Sequence, residues 1–92
     1  MTPAARINAA IELMDRIQSG ELADRALANW GRRNRYAGAK DRAAIGDIVY
    51  DVLRKKQGCA TYGQGQSGRA LLLGHLRASG ENPDNYFGKD RY

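Results

Sequence analysis

Hydrophobic residues recur every three or four positions along most of this chain, which is the spacing of helices that bury one face. The first stripe follows Thr2-Pro3, where a hydroxyl caps a helix and a proline suits its first turn, and it ends at Ser19-Gly20. A second stripe predicts a helix from about residue 21 to Trp30. The predicted inner faces are Ile7, Ala10, Ile11, Met14 and Ile17 in the first helix and Ala23, Ala26, Leu27 and Trp30 in the second.

The third predicted helix, from Asp41 to about Lys56, has the clearest apolar face. Most of its apolar residues are β-branched and favour strands by propensity, but their spacing of three and four outweighs that preference. Asp41 at its start and the cations at its end both suit the helix dipole. Gly46, beside the apolar face, is expected to let a neighbouring helix approach closely. The face comprises Ile45, Ile48, Val49, Val52 and Leu53.

A polar, glycine-rich loop at residues 61–68 precedes a fourth predicted helix, which Ser67 caps and a Ser-Gly pair at residues 79–80 ends. An Asn-Pro pair at residues 82–83 is expected to start a last short turn of helix that contains Tyr86 and Phe87. The sequence has no repeat, no heptad pattern and no strand pattern. The prediction is therefore an all-α fold, a compact bundle of four to five helices that forms a single domain over residues 1–92.

The uneven distribution of charge along the chain indicates which class of partner to expect. The 92 residues carry a net charge of +5. Residues 32–56 contain eight cations and three acids, and the rest of the chain contains seven of each, so the whole imbalance belongs to one stretch. Such asymmetry predicts a polyanionic partner. No apolar run approaches the roughly 20 residues of a membrane span, and the N-terminus lacks a signal-peptide pattern, so we expect a cytoplasmic protein without membrane contact.

Two basic clusters within this stretch are candidate RNA-binding sites. The first lies between the second and third helices, where arginines match phosphate geometry and Tyr36 is placed to stack on an unpaired base. The second lies at the end of the third helix, about 20 Å away along a rigid rod. The candidates are Arg32, Arg33, Arg35, Tyr36 and Lys40 in the first cluster and Arg54, Lys55 and Lys56 in the second.

The same residues also have a purely structural interpretation. Cations that follow the end of a helix are stabilised by its dipole by about 0.3–1 kcal/mol each. Arg42 lies about 20° from Leu53 on the helical wheel, so it is expected to be part-buried in a salt bridge. Tyr36 and Trp30 are alternatively anchors of the core. The sequence leaves both interpretations open.

Candidate catalytic and metal-binding residues are scarce. His75 has neither a nucleophile nor a carboxylate nearby in sequence, and it is expected to be part-buried with one hydrogen bond. Cys59 follows a basic run but has no base beside it, which favours an inert thiol. One cysteine and one histidine exclude a disulfide framework and a metal site built from these ligands. We expect no catalytic, cofactor-binding or metal site in this segment.

The segment KDRAAIGDIVYDVLRKK, residues 40–56, opens with Asp-Arg-Ala and continues as an apolar helix that ends Val-Tyr-x-Val-Leu-Arg. Together with TPAARINAAIELMDRI, ALANWGRRNRYAGAKDRAAI and GRALLLGHLRASG, it resembles the NusB-like domain at the N-terminus of bacterial ribosomal RNA cytosine-C5 methyltransferases of the Sun group. The resemblance covers nearly all of the chain. It implies a NusB-like helical fold and an RNA-binding accessory domain that helps to position ribosomal RNA.

In the full enzymes that this chain resembles, a downstream domain binds S-adenosylmethionine and uses cysteines in Thr-Cys and Pro-Cys contexts. Neither dipeptide occurs here, since Cys59 follows Gly58, so the resemblance implies a catalytic methyltransferase domain elsewhere in a longer chain and a monomeric accessory domain. The antitermination factor that names the fold contacts RNA through an arginine-rich first helix. The first helix here has only Arg6 and Arg16, so those contacts do not transfer.

Two other classes of function stay open. NusB-like domains also bind proteins, and an exposed apolar patch near Tyr86 and Phe87 would indicate a protein-interaction module without direct RNA contact. A helix-turn-helix DNA-binding protein is less favoured, because the third helix carries Asp47 and Asp51, whereas a groove-facing helix prefers Arg, Lys, Asn or Gln.

Overall fold

The computed structural model describes residues 2–56 and 67–81, and within these ranges the protein is a bundle of α-helices. The predicted all-α class is thereby confirmed. The predictions for Cys59, for most of the glycine-rich loop and for Tyr86 and Phe87 concern residues outside the described ranges. The helices are α1 (Pro3–Gln18), α2 (Ala23–Arg33), α3 (Ala39–Arg54) and α4 (Gly68–Ala78).

The predicted ends of α1 and α4 are confirmed by their capping geometry. The side chains of Thr2 and Ser67 each accept a hydrogen bond, 3.1 Å long, from the main-chain N–H three residues later. Caps of this kind typically stabilise a helix by about 1 kcal/mol. After each helix the chain reverses through a glycine with positive φ, +116° at Gly20 and +78° at Gly80. These φ values suit glycine because it lacks a Cβ.

The core of the described bundle forms around α1, which packs against α2, α3 and α4. Trp30 is 3% exposed, so its predicted role as a core anchor is confirmed. The buried faces depart from the predicted ones in two ways. Ala9 and Leu13 are buried although they lie outside the predicted stripe. Several residues of the predicted faces are only partly buried, namely Ile11, Ile17, Ala23, Leu27, Ile48 and Leu53. The buried apolar residues are Ile7, Ala9, Ala10, Leu13, Met14, Ala26, Trp30, Ala37, Ile45, Val49, Val52, Leu71, Leu72 and Leu76.

Among the described glycines, the tightest contact with another helix is at Gly68, whereas the close approach predicted at Gly46 is not observed. A Cβ built on Gly46 would meet nothing within 4 Å, so none of the described helices crosses there. A Cβ on Gly68 would lie 2.5 Å from the carbonyl oxygen of Ile11 and 2.6 Å from Oδ1 of Asp15. The Gly68 N–H also donates a hydrogen bond of 2.7 Å to that Asp15 oxygen. The first turn of α4 therefore rests directly on α1.

The connection between α2 and α3 is shorter than the sequence suggested. Because Gly31 is buried inside α2 and does not end it, the helix continues to Arg33. Gly38 precedes the first residue of α3, so the connection comprises only residues 34–38. Arg32 and Arg33 thus lie in the last turn of α2, and Lys40 lies in the first turn of α3.

Two side-chain contacts fix the position of α3 relative to its neighbours. Arg6 on α1 donates to Oδ1 of Asp41 from Nε at 3.0 Å and from Nη2 at 2.7 Å. These hydrogen bonds hold the pKa of Asp41 below its ordinary value. On the other side, the hydroxyl of Tyr50 donates to Asp24 at the start of α2, and this bond to a carboxylate, together with burial, raises the pKa of Tyr50.

Candidate nucleic-acid interface

The end of α2 and the start of α3 meet at an edge of the bundle where five exposed cations gather, and we call this edge the basic corner. It consists of Arg32, Arg33, Arg35, Lys40 and Arg42. Within the described part of the chain, none of these five side chains forms an ion pair with a carboxylate. Their positive charge is therefore not compensated locally.

Three of these cations surround one surface depression, the arginine depression, of about 420 Å³. Arg32, Arg35 and Arg42 form its rim, and Leu27, Ala28 and Gly31 of α2 complete its lining. No acidic side chain of residues 2–56 or 67–81 contributes to it. Arginine presents several N–H donors in one plane and matches phosphate oxygens well. The depression thus has the charge and donor geometry of an anion-binding site.

Arg42 was not among the RNA-binding residues predicted from the sequence, and its predicted burial in a salt bridge is wrong. Its side chain is exposed and lies across α2 at Gly31, where a Cβ would be 3.3 Å from Arg42 Cδ and 3.8 Å from Nη1. The bare backbone of Gly31 lets the guanidinium lie along the helix surface. A signal for this was present in the sequence, because no acid lies three or four positions from Arg42 on its own helix.

Arg32 is held in place by a chain of two hydrogen bonds. One of its guanidinium nitrogens donates to Oδ1 of Asn29, one turn earlier on α2. Asn29 in turn donates from Nδ2 to the Glu21 carboxylate at 3.1 Å. The contact with the amide orients Arg32 without neutralising it. Arg33 and Lys40 belong to the basic corner but do not line the arginine depression.

The second candidate cluster lies at the far end of α3 and is partly neutralised. Asp51 lies 3.1 Å from Nη2 of Arg54 and 3.5 Å from Nζ of Lys55, and its second oxygen lies 3.3 Å from Nδ1 of His75. Burial raises the pKa of Asp51, but the Arg54 hydrogen bond and the charges of Lys55 and His75 outweigh it, so this pKa lies below its ordinary value. Lys56 is exposed. The structure does not bring this cluster together with the basic corner.

Tyr36 is 74% exposed, so the alternative that it anchors the core is wrong. It follows Arg35 directly and stands in the connection between α2 and α3. An exposed tyrosine ring beside uncompensated cations is a surface on which a planar base can stack.

His75 is part-buried, as predicted. Its Nδ1 lies 3.3 Å from the Asp51 carboxylate, which belongs to another helix. His75 lies near Asp47, Asp51 and Glu81 in two surface depressions that Arg6 and Arg54 also line, so charges of both signs meet there. On α3, Asp47 and Asp51 lie about 140–180° around the helix from Arg42. These two aspartates and the basic corner thus lie on opposite flanks of α3.

Other kinds of site find no support in the described part of the chain. Among residues 2–56 and 67–81, no three His, Cys, Asp or Glu side chains are arranged to hold a metal ion. None of the helices described there combines the length and the hydrophobicity needed to cross a bilayer. A scan of protein-family models and searches of curated proteins and solved structures find no match to this chain.

Proposed function

We propose that this chain is an RNA-binding domain that holds the phosphate backbone at its basic corner, with one phosphate in the arginine depression. The observation that carries the proposal is the set of three arginines around one depression, none of them in contact with a described carboxylate. In such a site each arginine that neutralises a phosphate releases counterions, and this release drives association.

We further propose that the domain is the NusB-like accessory part of a ribosomal RNA cytosine-C5 methyltransferase. The support is the sequence resemblance over nearly the whole chain, together with an all-α bundle of the kind that the resemblance implies. In this proposal a catalytic domain of the same polypeptide binds S-adenosylmethionine, and the basic corner helps to position ribosomal RNA for it. The protein then acts as a monomer in the cytoplasm.

The expected affinity is weak because the isolated corner makes few phosphate contacts. A dissociation constant of about 10⁻⁴–10⁻⁶ M at physiological salt is typical of sequence-independent electrostatic binding. Each phosphate contact adds about 0.7 to the slope of log K against log salt for a single strand. Three arginines in contact with phosphates therefore account for about two units of slope.

The test compares two triple variants that remove the same charge. In the first, Arg32, Arg35 and Arg42 are replaced by Ala; in the second, Arg54, Lys55 and Lys56 are replaced by Ala. Fluorescence anisotropy with a ribosomal RNA hairpin over a range of salt concentrations should show a slope flatter by about two units for the first variant and by clearly less for the second. Circular dichroism confirms that both variants stay folded.

A slope flattened equally in the two variants would show that only net charge matters and would refute a site at the arginine depression. A slope unchanged in both variants would remove the support for RNA binding by this domain. The function as a protein-interaction module would then be favoured, with the basic corner serving for solubility.

A further inference from the structure

A second depression lies next to the arginine depression, and we call it the tyrosine groove. It has a volume of about 280 Å³ and runs between α1 and the end of α2. Asn8 and Glu12 of α1 form one wall, and Trp30, Asn34 and Tyr36 form the other. Trp30 and Gly31 are consecutive, as are Arg35 and Tyr36, and in each pair one residue lines the groove and the other lines the arginine depression. The two depressions are therefore neighbours.

The groove differs from the arginine depression in its chemistry. Among the described residues that line it there is no cation and one carboxylate, that of Glu12, whose only described partner is Arg16 at 3.9 Å. A carboxylate repels a phosphate, so this groove does not suit the RNA backbone. Its exposed ring and its amide side chains suit the face and edge of a nucleobase.

The hydrogen bonds of Asn34 determine that it offers the groove an acceptor and not a donor. Both its main-chain N–H and its side-chain Nδ2 donate to the carbonyl oxygen of Trp30 at 2.9 Å, which closes the end of α2. The side-chain amide nitrogen is thus engaged, and Oδ1 has no partner among the described residues. Oδ1 of Asn34 and the Glu12 carboxylate are both hydrogen-bond acceptors. They complement a base that donates from an exocyclic amine.

We infer that the tyrosine groove binds an unpaired nucleobase that carries an exocyclic amine, such as cytosine or adenine, while the adjoining phosphate occupies the arginine depression. This inference rests on the proposed RNA-binding function and deepens it, because it makes single-stranded RNA the preferred ligand. Tyr36 supplies the stacking surface, and Asn34 and Glu12 accept hydrogen bonds from the amine. A base held in a duplex cannot expose its face to Tyr36.

The first test compares the binding of single-stranded and double-stranded RNA. Fluorescence anisotropy on the full chain compares a short oligocytidine with a blunt RNA duplex that has the same number of phosphates. The oligocytidine should bind more tightly. Tyr36→Leu should weaken oligocytidine binding by about fivefold or more and leave duplex binding unchanged, because only the stacked base is lost. Tyr36→Phe, the matched control, keeps the ring and should keep the affinity.

The second test uses base identity. Oligocytidine should bind at least about fivefold more tightly than oligouridine, which offers an acceptor at the position of the cytosine amine. Glu12→Gln should narrow this ratio, because one acceptor atom becomes a donor. Asp47→Asn removes the same charge from the opposite flank of α3 and should leave the ratio unchanged.

The possible failures are distinguishable. Absence of RNA binding, or a salt slope that does not respond to the arginine variants, refutes the proposed function itself. Two results would refute the nucleobase site alone, provided that the salt slope still responds to the arginine variants. One is equal affinity for single-stranded and duplex RNA. The other is a Tyr36→Leu variant that binds oligocytidine as tightly as the parent protein. Equal affinities for oligocytidine and oligouridine refute the recognition of an exocyclic amine.

Discussion

A pair of glycine-to-alanine substitutions tests how α4 is held against α1. Alanine favours a helix over glycine by about 0.5–1 kcal/mol when its methyl group has room. A Cβ at Gly46, inside α3, meets none of the described residues within 4 Å, so Gly46→Ala should stabilise the protein by about that amount. At Gly68 the new methyl group would lie 2.5 Å from the main-chain oxygen of Ile11, so Gly68→Ala must push α4 away from α1.

The expected effects have opposite signs. Overpacking costs about 1–3 kcal/mol, and displacing α4 also strains the hydrogen bond of 2.7 Å from the Gly68 N–H to Asp15. The cost exceeds the gain in helix propensity, so we expect Gly68→Ala to destabilise the protein by about 1–3 kcal/mol. For a domain of this size, about 1 kcal/mol corresponds to a shift of about 4–8 °C in Tm.

Thermal unfolding followed by far-UV circular dichroism measures both effects on the same scale. Gly46→Ala should raise Tm by several degrees, and Gly68→Ala should lower it. Gly46→Ala is the matched control, because it changes the same atoms where space is available. A rise in Tm for both variants would mean that Gly68 is not in close contact with α1 and that the helix packing described above is incorrect.

Two further predictions concern stability. Leu13→Ala should cost about 2–5 kcal/mol because its side chain is fully buried, and Ile48→Ala should cost less because Ile48 is only partly buried; urea unfolding compares them. Asp41→Asn should destabilise the protein at neutral pH, and this deficit should shrink as the pH falls below about 4. The reason is that Arg6 holds the folded-state pKa of Asp41 below its unfolded value, so the stabilisation is present above the unfolded pKa and is lost as the carboxylate protonates. Tm measured against pH for both proteins checks this; a deficit that stayed constant would contradict it.

The ends of the helices were predictable from the sequence where they depend on interactions between residues close together in the chain. Thr2 and Ser67 accept hydrogen bonds from N–H groups three positions away, and glycines at residues 20 and 80 take φ values that other residues avoid. Such chemistry is visible in a short stretch of sequence. The contrast between Gly46 and Gly68 is not visible in a short stretch of sequence, because the space for a Cβ depends on which helix crosses at that point. That information belongs to the tertiary structure.

The features of the candidate site also fall into those that the sequence predicts and those that depend on the tertiary structure. Arg54 and Lys55 follow Asp51 by three and four residues, which are adjacent positions on a helix, so their ion pairs were predictable from spacing. The helical wheel placed Arg42 near the apolar face, but it could not show that Gly31 of another helix provides a surface on which the side chain lies exposed. The composition of the basic corner was therefore predictable, whereas the arginine depression depends on how α2 and α3 meet.

The arrangement of charge around α3 bears on orientation as well as affinity. Arg42 lies on one flank, and Asp47 and Asp51 lie on the other. On the second flank the aspartates lie beside Arg54 and Lys55, so charges of both signs meet there, whereas the basic corner carries only cations without a described ion pair. A nucleic acid is therefore expected to approach the basic corner. The net charge of +5 also understates the potential at the corner, because distant acids reduce the total while their influence fades over about 8 Å at physiological salt. A domain that only raised the local concentration of RNA would need net charge alone. In the proposed function, the unequal charge of the two flanks of α3 would set which flank faces the RNA. A domain that positions a substrate for a catalytic partner needs such an orientation.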